Sequence, residues 1–118
     1  MAKITKNFTT KEMQCPCCDK CKMDDEFMEN LQEIRTICGF GFRVNSGYRC
    51  ESHNAKVSKS SRNDHTLGKA ADIHMTNRYK RSTLLKHLLD SEHFLDIAIA
   101  KTFIHIGRGK SSSGIGVY

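Results

Sequence analysis

The feature that most constrains the fold is an aspartate inside an apolar segment. The chain reads Ala70-Ala71-Asp72-Ile73, and this short run of small and β-branched residues around one acid predicts a buried strand over 70–75. Burying an isolated carboxylate is costly unless a cation or several donors accompany it. Asp72 must therefore be paired with a charge, hydrogen-bonded by several donors, or bound to a metal ion.

Two histidines supply the nitrogen ligands that favour a metal ion. His65 ends a polar loop before the strand, Gly68 permits a tight turn, and His105 lies in a second apolar segment. Zinc binds imidazole nitrogen and carboxylate oxygen, and catalytic zinc sites keep a fourth position open for water. His65, Asp72 and His105 are therefore predicted to form a catalytic type of metal site. The alternatives are a purely structural histidine–aspartate pair, or His74 as a rival ligand on the same strand face.

The cysteines predict a second metal site. All six lie in the first half of the chain, and the Cys-rich segment 15–21 contains two overlapping C-x-x-C pairs, which is zinc-knuckle spacing. The predicted ligands of a structural zinc are Cys15, Cys17, Cys18 and Cys21. Cys38, Cys50 or His53 are alternative ligands, and idle thiols are the alternative interpretation. Because the first residues lack a secretory signal, we expect a protein made in the cytoplasm, where thiols stay reduced.

Length and charge restrict the domain count and the partners. At 118 residues and 38% hydrophobic content, the chain is long enough for one core and too short for two. Its formal net charge of +6 indicates an anionic partner. Nucleic acid is disfavoured, because interleaved aromatic residues and a suitable basic helix are absent. No segment approaches the roughly 18 apolar residues of a membrane helix, so no membrane span is expected.

Apolar spacing predicts a single α+β domain over residues 1–107. A capping aspartate and helical periodicity predict a helix over about 24–38, and periodicity alone predicts one over about 79–89. Residues 51–57 form a candidate short helix. Alternation and short apolar runs predict strands over about 40–45, 70–75, 95–100 and 103–106. We therefore expect a small antiparallel sheet with flanking helices, followed by a flexible Gly/Ser-rich tail over 108–118.

Four motifs, in this order along the chain, together resemble one protein family. They are Ser46-Gly47-Tyr48-Arg49, Asn54-Ala55-Lys56-Val57, the H-x-x-G-x-A-x-D-I element from His65 to Ile73, and Phe103-Ile104-His105. The set is similar to metallopeptidase family fifteen, which contains the zinc D-Ala-D-Ala carboxypeptidases and the phage L-Ala-D-Glu endopeptidases. These enzymes share a fold with the amino-terminal domain of hedgehog proteins. The similarity runs from about Phe8 to Gly107.

The resemblance implies a function and a role for each matching residue. The implied zinc ligands are His65, Asp72 and His105. Arg49 corresponds to the arginine that contacts the scissile carbonyl or the substrate carboxylate, and Ser46 and Tyr48 shape the substrate-binding turn. The implied activity is zinc-dependent cleavage of peptidoglycan stem peptides. A phage origin is also implied, with release at lysis or a place in the virion beside other virion proteins.

The chain departs from the family pattern at three positions. Asn63 stands where the family usually has serine, Thr102 stands where related enzymes have a carboxylate three residues before the last ligand, and Gly107 replaces a frequent aspartate. Asp96, on the neighbouring strand, is therefore the first choice for the catalytic proton acceptor. The other candidates are Asp64, His74 and Glu92. The alternative function is a catalytically degenerate zinc-binding structural or virion module with the same fold.

Overall fold

The structure, a computed structural model, describes residues 3–57, 64–108 and 114–117. In chain order the elements are β1 (Lys3–Thr5), β2 (Phe8–Thr9), α1 (Thr10–Met13), α2 (Asp25–Cys38), β3 (Arg43–Ser46), α3 (Glu51–Val57), β4 (Ala70–His74), α4 (Arg78–Ser91), β5 (Asp96–Ile99), β6 (Phe103–Gly107) and β7 (Gly114–Val117). Helices and a largely antiparallel sheet occur in one small domain, which confirms the predicted α+β class.

The helix ends follow local capping signals. The Asp24 carboxylate accepts the N–H of Phe27 at 3.0 Å at the start of α2, and the left-handed Gly39 ends that helix. Asn77 caps α4 in the same way, through the N–H of Lys80. The apolar faces of α2 and α4 pack together in the core. No helix within the described ranges is long and apolar enough to cross a membrane.

The sheet separates an apolar face from a polar one. Its strand order is β3-β4-β6-β5-β7. The core residues Ala71 and Ile73 of β4 pair with Ile106 and Ile104 of β6. Because side chains alternate along a strand, the intervening residues of both strands lie on the opposite face. That second face carries the polar residues singled out in the sequence.

The prediction of a flexible tail is wrong for Gly114–Val117. This segment forms β7 and pairs in parallel with β5. Since β6 runs antiparallel to β5, a chain that reverses after β6 runs parallel to β5. The outer edge of β5 offers unpaired backbone groups that this short extended segment satisfies. The rest of the segment beyond Arg108, namely residues 109–113 and 118, lies outside the described residues.

Replacing Gly68 by alanine is expected to lower the free energy of unfolding by at least about 2 kcal/mol. Gly68 has a φ of +71°, and a Cβ there would lie 1.9 Å from the carbonyl oxygen of Lys22. Gly39 is the matched control, because its φ is +76° but no atom lies within 4 Å of the added carbon. Gly39→Ala should therefore cost only about 1 kcal/mol. Denaturant unfolding measures the free energy of unfolding of both variants. An equal loss in the two would contradict the predicted overlap at Gly68.

Candidate metal centre

Asp72 and His105 are brought together by the register of β4 and β6. The two residues are direct partners across the antiparallel pair, and both lie on the face opposite the apolar core. Nδ1 of His105 lies 2.8 Å from Oδ1 of Asp72. Both residues are buried. The sheet therefore holds one nitrogen and one oxygen ligand side by side.

His65 approaches the same carboxylate from the loop before β4. Its Nδ1 lies 2.7 Å from the carbonyl oxygen of Gly47. A carbonyl only accepts hydrogen bonds, so Nδ1 carries the proton, and Nε2 of the neutral ring presents a lone pair. That atom is buried, has no hydrogen-bond partner among the described residues, and lies 3.5 Å from Oδ1 of Asp72. A lone pair that faces a carboxylate is stabilised by a cation between the two.

These three side chains fit a zinc ion. Their ligand atoms all lie within 4.8 Å of one another. Zinc bonds of about 2.0–2.1 Å at tetrahedral angles separate two ligand atoms by about 3.3 Å. The His105–Asp72 distance of 2.8 Å and the His65–Asp72 distance of 3.5 Å fall on either side of that value. Two imidazoles and one carboxylate also leave a fourth zinc position open, as catalytic zinc sites do.

The electrostatics of the site favour a cation. Burial alone would raise the pKa of Asp72, but the hydrogen bond to His105 and the two histidine rings beside the carboxylate outweigh burial and hold that pKa well below its usual range. Burial would likewise lower the pKa of His105, but its hydrogen bond to Asp72 and the nearby carboxylates outweigh burial and raise it. Asp72 is therefore an anion at neutral pH, as a metal ligand must be.

Arg49, the residue predicted to contact substrate, lies beside Asp72 and His65. Its terminal Nη2 is 3.9 Å from Oδ2 of Asp72, and its backbone N–H donates to the carbonyl oxygen of His65 at 3.2 Å. Its Nε atom is buried and has no hydrogen-bond partner in the described part of the chain. Ser46 pairs with Asp72 across β3 and β4, and Tyr48 is buried in the same turn. The structure therefore brings the predicted turn to the site, with one donor of Arg49 left for a ligand.

Two further carboxylates lie behind the ring of His105. Oδ2 of Asp96 is 3.4 Å from Nε2 of His105, the nitrogen opposite the one that faces Asp72. Asp64 is buried, and its Oδ2 would lie 2.9 Å from a Cβ at Gly107, a position itself only 3.2 Å from Nε2 of His105. A side chain at position 107 would therefore overlap the Asp64 carboxylate. The acids of two other segments occupy the space that Gly107 leaves open.

Other sequence-based candidates lie apart from the site. His74 is not part of the metal-ligand cluster found in the described ranges, and it pairs along the sheet with Arg43 and Phe103. Glu92 is the exposed C-cap of α4. Asn63 lies outside the described residues. Sequence reasoning missed the carbonyl of Gly47, because a backbone acceptor has no residue-type signal.

The cysteine cluster differs from the predicted one in its fourth member. Cys15, Cys17 and Cys18 cluster with Cys50, whereas Cys21 packs against the hydrophobic core. Cys17 and Cys18 lie inside a tight turn in which the N–H of Cys15 donates to the carbonyl oxygen of Lys20 at 2.7 Å and Asp19 has a φ of 60°, whereas Cys21 follows that turn.

The cluster also perturbs the ionisation of its thiols. Burial would raise the pKa of Cys15, but hydrogen bonds from the backbone of Cys50 and Cys17 outweigh it and lower the value to about 6. Hydrogen bonding to the sulfurs of Cys50 and Cys15 raises the pKa of Cys17 to about 12. Because the sulfur atoms lie close together, ionising all four thiols is unfavourable unless a bound cation compensates their negative charge.

Comparisons with known proteins assign the chain to a family. No curated protein matches it. The model of the family described as Peptidase M15 matches residues 6–107, a range that includes the three predicted zinc ligands and Arg49. This match covers most of the chain and agrees with the geometry of the metal centre. The chain therefore belongs to the Peptidase M15 family.

Proposed function

We propose that this protein is a zinc-dependent peptidase that cleaves the stem peptides of peptidoglycan. The observation that carries the proposal is the convergence of His65, Asp72 and His105 in a chain of a peptidase family. The net charge of +6 supports the choice of substrate, because bacterial walls include anionic polymers that attract a basic surface. The bond cleaved is that of a D-Ala-D-Ala carboxypeptidase or of an L-Ala-D-Glu endopeptidase.

The residues around the centre have separate roles in the proposed reaction. Zinc held by His65, Asp72 and His105 would supply a Lewis acid that polarises the scissile carbonyl and lowers the pKa of a bound water. Next to that cluster, Arg49 offers a buried Nε–H donor that has no hydrogen-bond partner within the described ranges. We propose that Arg49 binds the carbonyl or carboxylate oxygen of the substrate and stabilises negative charge there.

We propose that Asp96 acts through His105 as a positioning residue. Its carboxylate lies behind the imidazole, where it accepts a hydrogen bond from Nε2–H and keeps Nδ1 directed toward Asp72. A carboxylate that orients a ligating histidine in this way raises the affinity of the site for its metal ion. This role differs from the direct proton acceptor expected from the sequence, because the ring of His105 stands between the two aspartates.

Replacing Asp96 by asparagine is expected to weaken zinc binding at this centre about 10–100-fold, because the ring loses its charged support. Competition with a chromophoric chelator measures the affinity. Asp90→Asn, an exposed site on α4, is the control and should bind zinc like the wild type. A large loss of turnover with unchanged zinc affinity would instead identify Asp96 as the proton acceptor.

Digestion of purified peptidoglycan tests the proposed activity. The zinc-loaded chain is incubated with the polymer, and mass spectrometry of the products distinguishes released D-Ala from a new amino terminus at D-Glu. We expect one of these products, loss of activity on chelation, and recovery on adding zinc. A folded, zinc-loaded chain that yields neither product overturns the proposal.

One observation favours a second candidate function, a zinc-binding module without turnover. Both nearby acids, Asp64 and Asp96, lie on the far side of His105, and Thr102 occupies the position where related enzymes have a carboxylate. In that case zinc would stabilise the fold without hydrolysis. Zinc-dependent thermal stabilisation together with intact stem peptides is the result that this alternative predicts.

A further inference from the structure

Four cysteine thiols from two distant segments converge at one point. The Sγ atom of Cys15 lies 3.6 Å from those of both Cys17 and Cys50, and Cys17 lies 3.2 Å from Cys50. Cys18 completes a group in which all sulfurs lie within 4.8 Å of one another. Zinc–sulfur bonds of about 2.3 Å at tetrahedral angles separate sulfur atoms by about 3.8 Å. The spacing is therefore that of a tetrathiolate site.

Backbone donors point at the sulfurs. The N–H of Cys50 donates to Cys15 Sγ at 3.4 Å, and the N–H of His53 donates to Cys50 Sγ at 3.4 Å. The tight turn that follows Cys15 is closed by the N–H of Asp19, which donates to the Cys15 carbonyl oxygen at 2.8 Å. Donors of this kind stabilise thiolates and fix their direction, as outer partners do around metal ligands. The cluster therefore has the support that a metal site needs.

We propose that Cys15, Cys17, Cys18 and Cys50 bind a second zinc ion in a closed, structural site. Four thiolates fill the tetrahedral positions, so this site leaves none open for water or substrate. The proposal does not depend on the proposed peptidase activity for its ligands, since no residue of the site is shared with the centre formed by His65, Asp72 and His105.

The second site would brace the loop that carries Arg49. Cys50 directly follows Arg49, and the N–H of Tyr48 donates to the carbonyl oxygen of Met13 at 2.8 Å, two residues before Cys15. A Cβ at Gly47 would lie 2.7–2.9 Å from atoms of Met13, so the two segments are in close contact. A zinc ion would therefore join the two segments next to the loop that carries Arg49.

Counting zinc and thiols tests the site in the reduced full-length chain. We expect two zinc ions per wild-type chain and one in Cys50→Ser or in Asp72→Asn. Cys21→Ser and Cys38→Ser are the controls and should keep two, because these cysteines lie outside the cluster. Before chelation only Cys21 and Cys38 should react with a thiol reagent, and after chelation under denaturing conditions all six cysteines should react.

Cobalt substitution tests the site without relying on a cysteine variant that folds. Cobalt(II) added to metal-free Asp72→Asn should give the intense thiolate-to-metal absorption of a tetrahedral tetrathiolate. Cys50→Ser should lose that absorption. Added zinc should displace the cobalt ion from Asp72→Asn and abolish the absorption. An unchanged zinc count in Cys50→Ser, or no thiolate absorption when cobalt(II) is added to metal-free Asp72→Asn, would each overturn the proposal. A single wild-type zinc that is lost in Cys50→Ser but kept in Asp72→Asn would support this site and contradict the centre formed by His65, Asp72 and His105.

Discussion

Asp72→Asn is expected to lower kcat/KM on a stem peptide by at least about a thousandfold, equivalent to about 4 kcal/mol. Asparagine keeps the size of the side chain and one acceptor oxygen but removes the charge. The buried nitrogens of His65 and His105 then face a neutral group, which is a poor zinc ligand. The centre should therefore lose its metal, and with it the polarisation of the scissile bond.

His74→Ala is the matched control for this substitution. His74 lies two residues further along β4, on the same face, but does not belong to the metal-ligand cluster. It should keep wild-type kinetics and zinc content. Circular dichroism reports whether Asp72→Asn stays folded, and metal analysis reports the zinc lost. A folded Asp72→Asn chain that retains both zinc at this centre and turnover would remove the basis of the proposed metal site.

Arg49→Lys is expected to lower kcat/KM about 10²–10³-fold while leaving the zinc content unchanged. Lysine keeps the positive charge beside Asp72 but lacks the planar fork and the Nε donor of the guanidinium. That donor is buried and has no hydrogen-bond partner among the described side chains and backbone groups. The loss should therefore come from weaker stabilisation of charge on the substrate oxygen.

Arg43→Lys serves as the control for Arg49→Lys. Arg43 is exposed at the start of β3, away from the ligand cluster, so its replacement should not alter the kinetics. The measurement is a comparison of kcat/KM and of zinc per chain for both variants. If Arg49→Lys loses zinc, or if it turns over substrate like the wild type, Arg49 holds the loop in place and does not contact substrate.

Helix α2 shows how far local signals reach. The Asp24 cap, the left-handed Gly39 and the apolar spacing between them place both ends of the helix within a residue or so. These signals act over one turn of chain and need no distant partner. The same holds for α4, which Asn77 caps, although this helix begins one residue before and ends two residues after its predicted range. The structure also confirms the predicted range of α3.

The cysteine cluster and β7 show where local signals fail. Cys21 and Cys50 are both reasonable fourth ligands by residue type, and the choice of Cys50 depends on the packing of the Arg49 loop against Met13. The segment Gly114–Val117 follows a Gly/Ser-rich run that predicts a flexible tail, yet it pairs with β5 at the edge of the sheet. In both cases the deciding partner is distant in the chain.

Residue chemistry determined from the sequence alone which side chains could form the metal centre. An aspartate in an apolar segment is costly to bury without a cation, and histidines supply nitrogen ligands for one; both facts can be read from residue type. The tertiary structure alone decided which atoms meet. The β4–β6 register places Asp72 opposite His105. The hydrogen bond from Nδ1 of His65 to the Gly47 carbonyl directs Nε2 toward Asp72, and the missing side chain of Gly107 leaves room for Asp64. Distances between residues far apart in the chain depend on the packing of whole elements, which no local pattern encodes.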